Sequence, residues 1–240
     1  MKTNVHFSYT NTDELSYTGK TTVVIDVLRA STTIIHALQN GARELIPVAS
    51  VEFAVKVSGG MFGGQTLLGG ERNTKKPEGF ALGNSPLEYT PEVVGGRTII
   101  LFTTNGSKAI VKAKFSENLF IAAFTNLKAV VNHLVKLDMD FEILCSGRSN
   151  NFSMEDVVCA GKLISEIQKT NADIELTDSA KASVSLSKSS GKSILTMMEH
   201  TEHGKILMEN NFIEDLKFCS RINTSATIPF LTSGVLKVLQ

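Results

Sequence analysis

The chain has little that would tie it to a membrane, a nucleic acid or an oxidising compartment. None of its apolar runs approaches the roughly 20 residues needed to span a bilayer. Residues 1–20, MKTNVHFSYTNTDELSYTGK, contain no apolar stretch of the kind that forms the core of a secretory signal. Neither sign of charge is in excess: 24 Lys and Arg balance 24 Asp and Glu. Nothing global therefore favours nucleic acid or an anionic membrane as a partner. Cysteine is scarce, with Cys145, Cys159 and Cys219 an odd set at long spacings. That suits free thiols in a reducing cytoplasm better than a disulfide framework. No Cys-x-x-Cys pair is present, so neither a zinc ribbon nor a dithiol redox site is encoded. What remains is 240 residues, 42% hydrophobic and 20% charged, enough to bury a sizeable core.

Three segments share one plan, in which a basic or glycine lead-in is followed by an apolar strand, a polar turn and a helix. They are GKTTVVIDVLRASTTIIHALQNGA (19–42), GGRTIILFTTNGSKAIVKAK (95–114) and FEILCSGRSNNFSMEDVVCAGKLISEI (141–167). In each, the apolar period switches from strand-like to the i, i+3, i+4 spacing of a helix. Helix starts are predicted at Ser31 or Thr32, at Asn105 and at Ser153, the last with Asp156 in a capping-box-like position. The near-continuous apolar strands Val23–Val27, Thr98–Phe102 and Phe141–Leu144 suit a sheet covered on both faces. Further strands are expected at Glu44–Val48 and Leu119–Ala122. The alternation predicts an α/β fold, a layered α/β/α arrangement with a mainly parallel sheet. It is read as one domain over residues 1–240, or two intimately packed halves. In such sheets ligands bind beyond the carboxyl ends of the strands, where all three polar turns fall.

Residues 59–91 differ, being glycine-rich and holding three of the five prolines. They predict a long loop with a short strand at 65–69, and long ordered loops in compact domains are often functional. Interleaved Leu67, Leu68, Phe80 and Leu82 argue for packing rather than a free linker.

The chemistry-bearing residues cluster in these turns. Asp26 ends an apolar strand, and an ionised carboxylate there is costly unless it is paired or holds a metal. Two readings stand: a metal or phosphate site, or a structural pair with Arg29. Arg29, Ser31 and Thr32 fall where a helix amino terminus offers free N–H groups to an anion. Asn105, Gly106 and Ser107 form a turn whose backbone can approach a ligand closely, with glycine permitting positive φ. Arg148 can grip an oxyanion with two parallel hydrogen bonds, and Glu155 and Asp156 add carboxylates in the first helical turn. The stretch around residues 70–86 supplies Glu71, Arg72, Lys75, Lys76, Asn84 and Ser85, a carboxylate beside cations in a glycine loop that suits a ligand lid.

Other features read as structural. Only two residues separate Cys145 from Arg148, too few for a cysteine-phosphatase loop, so Cys145 is taken as a core residue. SSGKS (189–193) resembles a phosphate loop, but Leu186 stands where that pattern requires glycine. His200 and His203 are spaced i, i+3 without a His-Glu-x-x-His pattern. They read as a surface helix end, with Gly204 as the cap after His203.

Three acids (Asp26, Glu71, Asp156) and three arginines (Arg29, Arg72, Arg148) thus converge on loops. Carboxylates suit magnesium rather than zinc, and arginines with helix termini suit an anionic substrate. Physical reading alone ends at a magnesium-dependent enzyme or binder acting on a small phosphorylated anion. A non-catalytic α/β module binding an anion or nucleotide, and a metal-dependent hydrolase of another phosphorylated ester, remain open beside it.

The motifs VVIDVLRASTTI, GGERNTKKPEGFALGNSPLEY, TTNGSKA and CSGRSNNFSMEDVVCAG, in this order, resemble the 2-phosphosulfolactate phosphatases. Weaker likeness continues through DSA (178–180), HG (203–204) and EDLKFCSRI (214–222), so it covers nearly the whole chain. The resemblance implies a magnesium-dependent acid phosphatase that converts 2-phospho-3-sulfolactate to sulfolactate, a step toward coenzyme M in methanogens. It implies a homodimer, while the free thiols, the balanced charge and the short apolar runs read above lead to the expectation of a cytoplasmic protein with no nucleic-acid or membrane partner. On this reading Asp26, Glu71 and Asp156 hold Mg²⁺, and Asp26 takes part in catalysis with Arg29 and Arg148. Ser31, Thr32, Asn105 and Gly106 join those arginines around the phosphoryl group, while Arg72 and Asn84 orient the sulfonate or carboxylate.

Overall fold

The computed structural model describes residues 1–61 and 66–240. In chain order its elements are β1 (Lys2–His6), β2 (Thr21–Ile25), α1 (Ala30–Gln39), β3 (Glu44–Val48), α2 (Val51–Met61), β4 (Thr66–Gly70), α3 (Pro91–Val94), β5 (Thr98–Phe102), α4 (Gly106–Lys112) and β6 (Asn118–Ala122). They continue with α5 (Leu127–Leu137), β7 (Phe141–Cys145), α6 (Met154–Thr170), β8 (Glu175–Leu176), α7 (Asp178–Ser190), α8 (Ile194–His200), α9 (Glu202–Glu209), α10 (Ile213–Cys219), β9 (Pro229–Thr232) and β10 (Val235–Val238). This is the expected layered α/β fold, and among the described residues the strands form one sheet in the order β4-β5-β3-β10-β9-β6-β2-β7-β1-β8.

The sheet is parallel in two blocks. β4, β5 and β3 pair parallel, as do β6, β2, β7, β1 and β8. The hairpin β9–β10 joins the blocks through three antiparallel steps, so the blocks run in opposite senses. A flat sheet in this order would put the carboxyl ends of β2 and β5 at opposite edges. Here they meet, since a Cβ added at Gly106, just beyond β5, would run into Asp26, just beyond β2. The sheet therefore twists and curls back on itself, as the handed twist of strands allows.

The cores record the same folding-back. Val24 of β2, Ile121 of β6, Leu45 of β3, Ile99 of β5 and Leu236 of β10 share one buried cluster with Ile34 of α1 and Ile110 of α4. The opposite face of the larger block, with Val23, Ile25 and Ile143, packs under Val130 of α5 and Leu163 of α6. Ile100 and Phe102 of β5 pack on Ala54 of α2 in a third cluster. Burial on both faces is why all five residues of TTVVI and of TIILF are inaccessible and why neither strand alternates.

Several boundaries move. β2 spans residues 21–25 rather than 23–27, because Asp26 and Val27 belong to the turn. Gln65 of the expected 65–69 strand lies outside the described residues, and β4 begins at Thr66. The end of α2 takes in residues 59–61 of the expected long loop, and 62–65 lie outside the described residues. The first helix starts at Ala30, with Arg29 at its cap position and no side-chain cap. Ser31 and Thr32 are engaged elsewhere, as described below. Among the described residues no helix is long and apolar enough to cross a membrane.

Candidate active site

A small cavity of about 60 Å³ opens where the turns after β2, β4, β5 and β7 meet. Among its lining are Asp26, Arg29, Glu71, Asn84, Asn105 and Arg148, all expected from the sequence, and His203, which was not. The polar turns predicted to bind a ligand are thus gathered into one place.

Asp26 is fixed at the root of the β2–α1 turn. Its backbone N–H donates to Ser31 Oγ over 2.8 Å, its carbonyl accepts from Ser31 N–H over 2.8 Å, and Oδ1 accepts from Ala30 N–H over 3.3 Å. Burial pushes its carboxyl up from 3.8 to about 6. The charge of Glu71 adds to that rise, while the His203 charge and Ser146 oppose it. Thr32 Oγ1 donates to Val27 O over 2.9 Å. Ser31 and Thr32, expected to touch substrate, instead shape this turn, and neither lines the cavity. Their hydroxyls are short enough to reach back to the strand end, and that satisfies the turn before any ligand arrives.

Glu71 follows β4. One carboxylate oxygen accepts from Thr104 N–H over 2.7 Å, and the other accepts from Thr74 N–H over 2.7 Å and Thr104 Oγ1 over 3.1 Å. This acid clasps the β5–α4 turn to its own loop, where Thr74 is held at φ 69°. A β-branched residue in the left-handed region is strained, as is common beside ligand sites. Asn84 is buried and its Oδ1 has no hydrogen-bond partner. A buried polar atom of this kind normally has one, and here the cavity is where a partner would come from.

Gly106 serves the site in a way different from the expected positive φ, which it does not adopt. A Cβ there would collide with Asp26 Oδ2 and Ala30 Cβ. Its missing side chain is what lets α4 start against Asp26. Gly106→Ala is therefore expected to lose stability by about 1–3 kcal/mol and to lower activity at least tenfold. Thermal melting and turnover together check this.

Asp156 was expected to share a metal with Asp26 and Glu71, but it does not line the cavity. Oδ1 accepts from Val27 N–H over 2.8 Å, and Oδ2 accepts from Ser146 Oγ over 3.0 Å and Gly147 N–H over 3.3 Å. It ties the β2 and β7 turns together, which is also why no capping box forms with Ser153. Burial, then the charges of Asp26 and Glu155, hold its carboxyl well above the usual range.

Arg29 is not paired with Asp26. Nη1 donates to Asp215 Oδ2 over 2.6 Å and Nη2 to Thr74 O over 3.2 Å, with the guanidinium 4.2 Å from the Phe212 ring. Arg148 is half-buried and has no ion pair among the described residues. It faces the cavity and also an outer cleft of about 810 Å³ that contains Arg72, Lys75 and Lys76. Arg72 is exposed, 3.8 Å from Glu52, and does not reach the small cavity. Its expected partner group would have to lie in the outer cleft. Cys145 is fully buried, and burial followed by the Asp156 charge pushes its thiol well up, so it is a packing residue.

His200 does end α8 at the surface, but His203 lies in the first turn of α9, at its amino-terminal and not its carboxyl-terminal end, and Gly204 is not its cap. A Cβ at Gly204 would strike Met198 O. The imidazole Nδ1 sits 3.5 Å from Oε1 of buried Glu155. Asp215 and Thr104 were likewise missed. The sequence signal for both histidine and Asp215 was only their presence in the weaker motifs HG and EDLKFCSRI. Their roles depend on a fold-back of roughly 180 residues that local pattern does not reveal.

Among the described residues no group of three His, Cys, Asp or Glu side chains is placed to hold a metal. Two carboxylates, Asp26 and Glu71, do face one cavity, and the charge of Glu71 raises Asp26. That donor set suits magnesium, which binds through one or two carboxylates plus water and substrate oxygens.

The family model described as 2-phosphosulpholactate phosphatase matches residues 7–234. Similar proteins named probable 2-phosphosulfolactate phosphatase include that of Caldanaerobacter subterraneus subsp. tengcongensis, 38% identical over 233 residues, covering 97% of this chain and 96% of its own. The Thermotoga maritima protein is 41% identical over 217 residues, covering 90% and 91%. That of Clostridium perfringens is 38% identical over 242 residues, covering 100% and 97%.

Proposed function

The chain belongs to the 2-phosphosulpholactate phosphatase family, and on that premise we propose that it hydrolyses the phosphate monoester of 2-phospho-3-sulfolactate with the help of Mg²⁺. The observation that carries the reading is the single cavity in which Asp26, Glu71, Asn84, Asn105 and Arg148 converge. Asp26 and Glu71 would hold the metal, which when bound offsets charge on the phosphoryl oxygens.

The remaining roles belong to the chain's own groups. Arg148, with no competing carboxylate among the described residues, donates to the phosphoryl oxygens, where charge gathers in the transition state. Asn105 and the close approach of Gly106 close the cavity on the α4 side, and Asn84 supplies the buried amide still lacking a partner. Asp26 accepts a proton from the attacking water. Arg29 acts at one remove, holding the turn that carries Asp26. The lysines and Arg72 of the outer cleft give the sulfonate and carboxylate a cationic approach.

Release of inorganic phosphate from 2-phospho-3-sulfolactate tests the proposal. Chelation is expected to reduce the rate tenfold or more, and added Mg²⁺ to restore it. A rate indifferent to chelator removes the metal from the mechanism. No release by folded protein leaves the anion-binding module, and release only from other esters leaves the broader hydrolase.

A further inference from the structure

Among the described residues lining the small cavity, His203 is the one imidazole. Its ring is only 16% exposed, and Nδ1 is directed at Glu155 Oε1, whose side chain is 2% exposed at the start of α6. His203 and Glu155 also line a separate cleft of about 410 Å³ with Arg148, Ser153 and Thr201. The ring thus stands as a wall between the cavity holding Asp26 and this second cleft. A buried carboxylate on one ring nitrogen fixes the tautomer and the plane of the ring. With Nδ1 so occupied, Nε2 is the nitrogen left for a ligand.

Phosphate-ester hydrolysis at a carbon-bound hydroxyl has two proton tasks. The attacking water must lose a proton, and the departing secondary alkoxide, a poor leaving group, must gain one. Asp26 can serve the first. Arg29 is locked to Asp215 and is a weak acid, and no cysteine or tyrosine lines the cavity.

Resting on the phosphatase reading, we propose that His203 is the general acid of the reaction and that Glu155 is its positioning residue. The water oxygen forms the new bond to phosphorus while its proton passes to the Asp26 carboxylate. The bond from phosphorus to the ester oxygen breaks, and its electron pair stays on that oxygen, which takes the Nε2 proton. The products are the free alcohol and inorganic phosphate. Asp26 then gives up its proton and His203 regains one from solvent by way of the 410 Å³ cleft it lines, so the cycle closes without another reactant. The charged and titratable groups around the ring are Glu155, Asp26, Glu202, Arg148 and His200.

The test compares native enzyme, His203→Asn, His203→Gln and Glu155→Gln, all with Mg²⁺. Their kcat and KM are measured across pH on 2-phospho-3-sulfolactate and on p-nitrophenyl phosphate, whose phenolate leaves without a proton. Either His203 variant is expected to lose about 10²-fold in kcat on the alkyl ester with little change in KM. It should also lose the alkaline limb of the kcat profile and change less than threefold on the aryl ester. Glu155→Gln should keep that limb but move it to lower pH, because the imidazolium loses its carboxylate. Equal losses on both esters, an alkaline limb that persists without His203, or unchanged kcat would overturn the assignment. If the native enzyme ignores the aryl ester, the pH limb decides alone. A native enzyme that releases phosphate from neither ester sinks the phosphatase reading itself.

Discussion

Asp26→Asn is expected to lower turnover by on the order of 10³-fold or more, and yet to give a protein that melts higher than the native chain at neutral pH. The two effects share one cause. Asp26 is buried beside Glu71, and its carboxyl titrates at about 6 rather than 3.8. The proton is therefore bound more tightly in the folded state than in the unfolded one. The stability this contributes is present in full below about pH 4, is lost as pH climbs to about 6, and is absent above. A shift of that size corresponds to about 3 kcal/mol.

Asparagine is neutral and similar in shape, so it escapes the cost of a buried like-charge pair while losing the base. Asp156, also pushed up, adds to the same slope. Glu155 opposes it, since burial is outweighed by the His203 hydrogen bond and charge and its carboxyl lies below the usual range. Both acids persist in the variant, but without the Asp26 charge the carboxyl of Asp156 is pushed up less, so the difference between the two proteins reports Asp26 together with its effect on Asp156. Melting in chelator from pH 4 to 8 should show the native chain losing stability across the window from about 4 to 6 and the variant losing less. Added Mg²⁺ should raise the native melting temperature more than the variant's, since a ligand stabilises only the state it binds. Near-native turnover, or a variant that melts lower than the native chain at pH 8, rejects this account.

The second large effect is expected at Asp215. Its Oδ2 accepts from Arg29 and its Oδ1 accepts from Ser85 Oγ, each over 2.6 Å, and both partners of the ion pair are almost wholly buried. Asp215→Ala leaves the Arg29 guanidinium buried against Phe212 without a counter-charge. Breaking a buried pair on one side costs about 3–5 kcal/mol, or roughly 10 °C in a chain of this size. The pair joins the β2–α1 turn, the loop carrying Ser85 and helix α10, so activity should fall with it. The double variant Arg29→Met, Asp215→Leu should recover much of the lost stability, because two apolar side chains replace two charges. Thermal melts of the three variants decide this. Equal or greater destabilisation in the double variant would assign the loss to packing around Phe212 rather than to an uncompensated charge.

How far the sequence reached differs from element to element. β5 falls where TIILF predicted it, because a run this apolar fits only the interior of a covered sheet, and β3 falls where ELIPV did, with Glu44 and Ile46 only half-buried. The turns that hold Asp26, Glu71, Asn105 and Arg148 were visible as polar residues interrupting apolar runs, since an unpaired charge inside a strand is too costly to be incidental. The hairpin β9–β10 was not visible. Its two four-residue strands carry no strong pattern, and its position between the blocks depends on pairing Leu236 with Leu45 and Phe230 with Phe120, each far earlier in the chain.

The role of each polar group was the harder matter. Ser31, Thr32, Asp156 and Arg29 all belong to types that bind phosphate or metal, and the sequence placed them in the correct turns. Whether such a group faces a ligand or its own backbone depends on the nearest donor or acceptor, often more than a hundred residues away, as Val27 is from Asp156 and Asp215 from Arg29. His203 shows the converse, a residue of ordinary local context that α9 delivers to the cavity. The sequence by itself determined the strands that carry the site, β2, β4, β5 and β7, with β3 and β6 beside them, the anion-seeking turns and the family. Only tertiary structure decided which side chains are spent on the scaffold and which remain for the substrate, because hydrogen bonds and ion pairs form according to distance in space and not along the chain.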